Sequence, residues 1–447
     1  MIALLSALCA AFSLGATPKV VTLEQALAIA LSENASVKVA DMEIEKTGYA
    51  RKGSYAALFP QIDGSASYQR TIKKQVMYMD FDTSSLMGGG DDSESSSSSA
   101  GGFEVGRWNT YSAGVSASMP LVNAQLWKSL KISDQDVELS VEKARASRLQ
   151  MVTQVKSAYY AVLLAKQVFD VYKSVYENAL ENLQQTQRKY DAQRASELDL
   201  VRSKTNYASA IPNVYDAENS VVLSLWQLKA VMGVNLEEDI DVAGSLSDYE
   251  DQMVMDLAID QNADLSSNST MRQLAIQAEE LANTVKLQQY ANLPTLSLAF
   301  NYSINAMTND FVFSEYRWSP YSYVGLSLSI PIFAGGKRSN AIKQARVQAS
   351  ELELNRADTE RQLRISIRQY LGTMDTQIRS LESAKSAVQS AQKAFDIAQK
   401  SYNVGRSTLT DLNDAQLALV QSQLTVSQAI YAFVVAKASL EEVLGNE

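Results

Sequence analysis

The strongest signal in the chain is an apolar stripe that steps by three and four. It runs through Leu363, Ile367, Tyr370, Met374, Ile378, Leu381, Val388, Phe395 and Tyr402, then resumes after a turn at Leu412, Leu419, Val426, Phe433, Leu440 and Val443. Such a narrow stripe marks helices that pack side by side as in a coiled coil. Between Pro120 and Tyr190, and again between Pro331 and Tyr402, there is no proline. A helix of that length, about seventy residues at ~1.5 Å each, is a rod of roughly 100 Å. Pro212 falls in the rod that follows Tyr190 and is expected to interrupt and kink it.

A second pattern has period two. Val324, Leu326, Leu328 and Ile330 point one way while Tyr323, Gly325, Ser327 and Ser329 point the other. Leu296, Leu298, Phe300 and Tyr302 alternate likewise with Thr295, Ser297, Ala299 and Asn301. Weaker alternation covers Ile62–Tyr68 and Tyr111–Met119, and aromatics crowd the strand ends at Trp108, Tyr111, Trp318, Tyr321, Tyr323 and Phe333. Ten-residue alternating segments with aromatic ends describe membrane barrel strands, and a half-buried soluble sheet alternates in the same way.

The chain is written twice. Leu31-Ser-Glu-Asn34 through Pro60 is matched at one common offset by Leu265-Ser-Ser-Asn268 through Pro294. Gly114-Val-Ser-Ala-Ser-Met-Pro120 matches Gly325-Leu-Ser-Leu-Ser-Ile-Pro331, and the Tyr190–Leu200 block matches Tyr402–Leu412. The expected organisation is therefore a secretory leader over 1–16 and a first repeat over 17–244, with strands about 61–72 and 108–120 and a long helical hairpin at 121–233. A second repeat over 245–447 follows, with strands about 295–305 and 321–331 and a hairpin at 334–445. Ser84–Gly102 is a Ser/Gly/Asp-rich insert in the first copy, too poor in apolar side chains to pack, and expected as a disordered extracellular loop.

Composition mainly removes alternatives. The formal charge of −10 argues against a nucleic-acid partner. The chain has no histidine, and its one cysteine, Cys9, lies in the apolar leader. Histidine-dependent catalysis, the commonest zinc ligand and disulfides are thereby excluded from the mature chain, and neither a P-loop nor a dinucleotide fingerprint is present. No enzyme activity and no cofactor are expected. Leu8 before Cys9 disfavours lipidation. After Ala16 no apolar run reaches the ~20 residues of a transmembrane helix.

Four strands cannot close a barrel, and open sheet edges are not tolerated in hydrocarbon. Two copies would supply eight strands and three would supply twelve; a transport pore favours twelve. Pro60, Pro120, Pro294 and Pro331 stand where strands meet long helices, as residues that cannot donate to a ladder should.

The duplicated order, these joints and the block Tyr402-Asn-Val-Gly405-Arg-Ser-Thr408-Leu-Thr-Asp411-Leu-Asn-Asp414-Ala415 resemble the TolC-like outer-membrane efflux family. The resemblance implies a mainly α subunit with a membrane β-barrel portion. Three copies would form a twelve-stranded outer-membrane barrel continuing into a twelve-helix periplasmic α-barrel. It also implies a periplasmic adaptor (membrane fusion protein) and an inner-membrane efflux pump or ABC transporter as partners. A periplasmic adaptor or coiled-coil scaffold is the alternative, though an adaptor would carry one hairpin rather than two matched copies.

The hairpins turn at Gln193-Arg194 and Gly405-Arg406, the tips expected to meet the adaptor. Gly405 suits a left-handed cap; Gln193 does not, so its turn is expected to differ. Ser196–Asp199 and Thr408–Asp411 read as capping boxes. The resemblance also places Asp411 and Asp414 around the periplasmic aperture, where like charges would raise some carboxylate pKa values. It pairs Tyr402 with Asp199 as a closed-state latch. The second family link is altered here, with Ser407 at the arginine position, Arg406 one place earlier, and Leu198 in place of threonine.

Overall fold

The computed structural model describes residues 19–78, 103–255 and 264–446. The leader expected over 1–16 and the insert at 84–102 lie outside them. The elements are β1 (Lys19–Val21), α1 (Leu23–Glu33), α2 (Ala35–Ala56), β2 (Gln61–Arg70), β3 (Gln75–Met77), β4 (Phe103–Val105), β5 (Asn109–Val122), α3 (Ala124–Asp191), α4 (Glu197–Met232), β6 (Ile240–Val242), α5 (Glu250–Met255), α6 (Ser269–Tyr290), β7 (Thr295–Thr308), β8 (Ser319–Ser329), α7 (Lys337–Asn403) and α8 (Leu409–Leu444). They fall into two compact units, and each repeat contributes to both.

The unit built from 49–134 and 281–347 holds a four-stranded antiparallel sheet in the order β2-β5-β7-β8. Its register joins the two repeats through β5 and β7, with Val115 opposite Tyr302 and Ala117 opposite Phe300. The same face continues to Ile62 opposite Ala117, and to Val324 opposite Phe300 and Leu326 opposite Leu298. This apolar face is uncovered: Ile62, Val324 and Leu326 are 69%, 71% and 67% exposed. The other face carries serines, threonines and amides. Water would not leave such a face bare of polar groups, so the sheet is built for an apolar surround on one side.

Aromatic rings gather at one end of the sheet. Tyr68 stacks on Tyr111 at 4.9 Å, and Tyr111 meets Phe313 and Tyr316 at 5.5 and 5.2 Å. The prolines mark the other end. Pro60 and Pro294 immediately precede β2 and β7. Pro331 follows β8 by two residues, whereas Pro120 lies inside β5 at a register shift before Val122. The ladder with β2 ends at Ser118, so the proline sits past that pairing. β3 and β4 form a further short antiparallel pair that the sequence did not reveal.

The other unit is helical. Its core gathers Val155, Tyr159 and Leu163 of α3, Leu228 and Met232 of α4, Ile367 and Met374 of α7, and Ile430, Phe433 and Leu440 of α8. Two short strands, β1 and β6, pair parallel with each other, and their Val21, Ile240 and Val242 belong to this core. The Tyr159 hydroxyl donates to the Ala243 carbonyl at 2.6 Å, and burial pushes its pKa up to about 12. Lys166 donates to the Val242 carbonyl and pairs with Asp241 at 2.5 Å. α8 is long and apolar enough to cross a membrane by length and composition alone. Packing accounts for part of that apolarity: Ala429, Ile430, Phe433, Val434, Ala436 and Leu440 are buried in this core.

α4 continues through Pro212 without ending there. One missing N–H removes one bond of a 36-residue helix, and the flanking turns hold the ladder on either side.

Candidate functional site

The ends of the hairpins are capped in the same way twice. At the first turn Gln193 N–H donates to the Tyr190 carbonyl and Arg194 N–H to that of Lys189, at 2.8 and 2.7 Å. At the second, Gly405 N–H donates to Tyr402 and Arg406 N–H to Ser401, at 3.1 and 2.8 Å. These paired bonds are a Schellman cap, which needs a left-handed residue. Gly405 has φ +79, and Gln193 has φ +57. The expectation that the first turn would differ is thus corrected: bonding overrides the steric preference, and glutamine takes the left-handed conformation that glycine takes for free.

The helices leaving the turns also start alike. Ser196 Oγ accepts from Asp199 N–H at 3.1 Å and itself donates to the Asp199 carboxylate at 2.7 Å. Thr408 Oγ1 accepts from Asp411 N–H at 3.2 Å, and the Asp411 carboxylate accepts from Thr408 N–H at 2.8 Å and from its hydroxyl at 2.7 Å. Only the second is a full capping box. The Thr408 hydroxyl, followed by its N–H, holds the Asp411 carboxyl below the usual carboxylate range. Within one chain this is the reverse of the rise expected from like-charge crowding.

Asp414, one turn further on, is exposed and has no hydrogen bond or ion pair among the described residues. It borders a cleft of about 340 Å³ between α3, α4 and α8, with Asn182, Asn206, Asn413 and Gln416. The Gln416 Nε2 is buried there without a partner.

Within the single chain Tyr402 and Asp199 are not hydrogen-bonded to each other. Tyr402 is buried, and its phenol shares a 2.6 Å hydrogen bond with the Thr186 hydroxyl of α3. The Lys189 ammonium lies 4.4 Å from the centroid of the same ring and donates to the Tyr402 carbonyl at 3.1 Å. Asp199 is occupied by Ser196 and does not bond Tyr402. Arg406 contributes its backbone N–H to the cap, while its side chain is exposed and unpaired among the described residues. Thr186 and Lys189 belong to the last turns of α3, whereas the family resemblance points to α4. The signal available was a hydroxyl and a cation in the last turns of α3, facing the end of the apolar stripe.

A sheet with one bare apolar face, joined in one chain to long paired helices with matched turns, defines an outer-membrane channel subunit. The model of the outer membrane efflux protein family matches residues 26–234 and 262–446, and the chain belongs to that family. It is 22% identical over 342 residues to outer membrane protein TolC of Vibrio cholerae, covering 75% of this chain and 76% of that one. It is 24% identical over 343 residues to the alkaline protease secretion protein AprF of Pseudomonas aeruginosa, covering 74% and 69%. In fold it is similar to the CmeC outer membrane channel of Campylobacter jejuni, with TM-score 0.73, 18% identity, and 95% and 85% of the two chains covered. The outer membrane protein VceC of Vibrio cholerae gives TM-score 0.71 at 15% identity, with 95% and 96% covered.

Proposed function

We propose that three copies of this chain close their sheets into one twelve-stranded outer-membrane barrel whose polar face lines a pore. The hairpins continue that pore as a twelve-helix periplasmic duct, an exit for efflux or secretion. The observation that carries this reading is the sheet itself: four strands, one exposed apolar face, and two unpaired edges. With an even number of strands, β2 and β8 run in opposite directions. The β8 of one copy can therefore pair antiparallel with the β2 of the next until the ring closes, which removes every edge from hydrocarbon.

The exposed turns at Gln193, Arg194, Gly405 and Arg406 are the surface offered to a periplasmic adaptor, and through it to an inner-membrane efflux pump or ABC transporter. Asp411 and Asp414 line the aperture, and Tyr402 with Thr186 and Lys189 holds the two hairpins together when it is closed. Pro60, Pro120, Pro294 and Pro331 set the joints between strands and rods. The reading gives the chain no catalytic step, and the family's description, outer membrane efflux protein, with a relative's name, alkaline protease secretion protein, supports transport.

Outer-membrane extraction followed by electrophoresis without boiling tests it. A heat-modifiable trimer that forms ion channels in planar bilayers is the expected result. A detergent-independent monomer in the soluble periplasm would overturn the reading.

A further inference from the structure

The polar face of the four-stranded sheet carries a single fixed charge. Gln61, Asp63, Ser65, Ser67 and Gln69 of β2 share that face with Thr110, Ser112, Ser116 and Ser118 of β5. On β7 and β8 it continues through Ser297, Asn301, Ser303 and Asn305 to Ser327, Tyr323 and Tyr321. One transverse row runs Asp63–Ser116–Asn301–Tyr323, each residue directly opposite the next. Lysine and arginine are absent from these face positions. Arg70, the last residue of β2, belongs to the opposite face, where its guanidinium lies 5.5 Å from the Phe311 ring centroid. Asp63 is exposed and has no hydrogen bond or ion pair among the described residues.

We propose that Asp63 is a cation-selecting residue of the barrel lumen, separate from the hairpin-tip aspartates. This rests on the duct reading above, in which the polar face lines the pore and threefold repetition turns one carboxylate into a ring. Serine, threonine and amide neighbours supply dipoles but no countercharge, so the field of the carboxylate acts on ions in the pore. The residue is the third of β2, three past Pro60, and so at the end where strands meet helices. Tyr321 and Tyr323, with ring centroids 5.8 Å apart, stand on the same face of β8. Ring closure sets β8, with these two tyrosines, beside the β2 of the next copy, and the π face of a tyrosine also attracts cations. The ligands this suits are small inorganic cations and alkylammonium ions.

The test is reversal potential across a potassium chloride gradient, recorded on single channels in which Asp411→Asn and Asp414→Asn have silenced the tips. Adding Asp63→Asn should lower the cation-to-anion permeability ratio about twofold at about 0.1 M salt, the size expected of a carboxylate seen across several ångströms of water. The difference should vanish near about 1 M salt, where screening reaches only ~3 Å. Asp63→Glu should keep the ratio of the Asp63 channel. An unchanged ratio in Asp63→Asn overturns the proposal, as does a change that persists in high salt.

Two cysteine variants separate this from the duct reading. A cationic methanethiosulfonate reagent should reduce conductance in Ser65→Cys, on the polar face, and leave it unaltered in Ile62→Cys, on the apolar face. The reverse result, or a parent chain that forms no channels, overturns both readings together.

Discussion

The Tyr402 phenol and the Thr186 hydroxyl share a buried hydrogen bond of 2.6 Å. It ties α7 of the second hairpin to α3 of the first, a few residues short of both turns. Neither group can turn to water for a substitute, so loss of either partner leaves a buried polar atom unsatisfied. That makes the bond a switch point in a way that an exposed capping aspartate is not.

Tyr402→Phe keeps the ring packing and the Lys189 contact while deleting the bond. It should weaken the closed arrangement by about 1–2 kcal/mol, the cost of an unpaired buried hydroxyl. Single-channel recordings should show larger or more frequent openings, with thermal stability of the assembled protein little changed. Thr186→Val should do the same. Asp199→Asn, by contrast, should leave conductance at the parent value, because its carboxylate serves the Ser196 cap. If Asp199→Asn opens the channel and Tyr402→Phe does not, the wiring expected from the family resemblance holds in the assembled protein.

The two turns give a paired stability test. Gln193 and Gly405 adopt the same left-handed geometry with the same bonds. A non-glycine residue there costs roughly 1 kcal/mol relative to glycine. Gln193→Gly should therefore stabilise the first hairpin, and Gly405→Gln should destabilise the second by a similar amount. Hydrogen exchange at the last turns of α3 and α7 reads each hairpin separately, with protection rising in the first variant and falling in the second.

Much of this architecture is written in the sequence, and the reasons are local. Helix and strand periods depend on side chains three, four or two positions apart, so α3, α7, α8 and the strands β7 and β8 could be read directly. The alternation also foretold the two faces of the sheet, since Leu296, Leu298, Val324 and Leu326 have nothing polar among them. Contacts between distant segments were less legible. β1 and β6 are three residues each and carry no period, and Gln193 entered a glycine conformation because its backbone bonds demand it. The Thr186 partner of Tyr402 was not legible because a family pattern names positions, whereas the hydroxyl bonds whichever donor or acceptor packing brings within reach.

The asparagine repeated in the two copies makes a long-range contact that the sequence matching alone did not reveal. Asn34 Nδ2 donates to the Val231 carbonyl, and Asn268 Nδ2 to the Val443 carbonyl, both at 2.7 Å. Each asparagine also caps the helix that follows it, accepting from Ser36 N–H and Met271 N–H at 2.7 and 2.9 Å. The ends of α4 and α8 are Gly233 and Gly445, both left-handed. A Cβ on Gly445 would meet the Ser267 carbonyl oxygen at 2.2 Å, and one on Gly233 would meet the Asn34 Cα at 2.9 Å. Asn268→Ala should cost about 2–3 kcal/mol by losing a buried bond and a cap together. Gly445→Ala should be worse than Gly405→Ala, whose added methyl meets nothing, because strain and collision act together. Yield of folded protein and melting temperature rank the variants.

Asp411 supplies the pH prediction. Its carboxyl lies below the usual range because the Thr408 hydroxyl and N–H stabilise the ionised form. A depressed folded value means that the unfolded chain takes up the proton first as pH falls. The contribution of Asp411 to stability is therefore whole above its unfolded value, about 3.9, and is lost as pH drops through the lower folded value. Melting curves between about pH 5 and pH 2.5 should show the parent losing stability in that window. Asp411→Ala should be less stable near neutrality and decline less steeply toward acid, with the two curves converging at the acid end. Thr408→Ala should reproduce both features, since it removes the donor and costs about 1 kcal/mol as a lost N-cap. Asp414→Asn should reduce polyvalent-cation block in bilayer recordings. Parallel acid slopes in Asp411→Ala and the parent would remove the cap as the source of the shift.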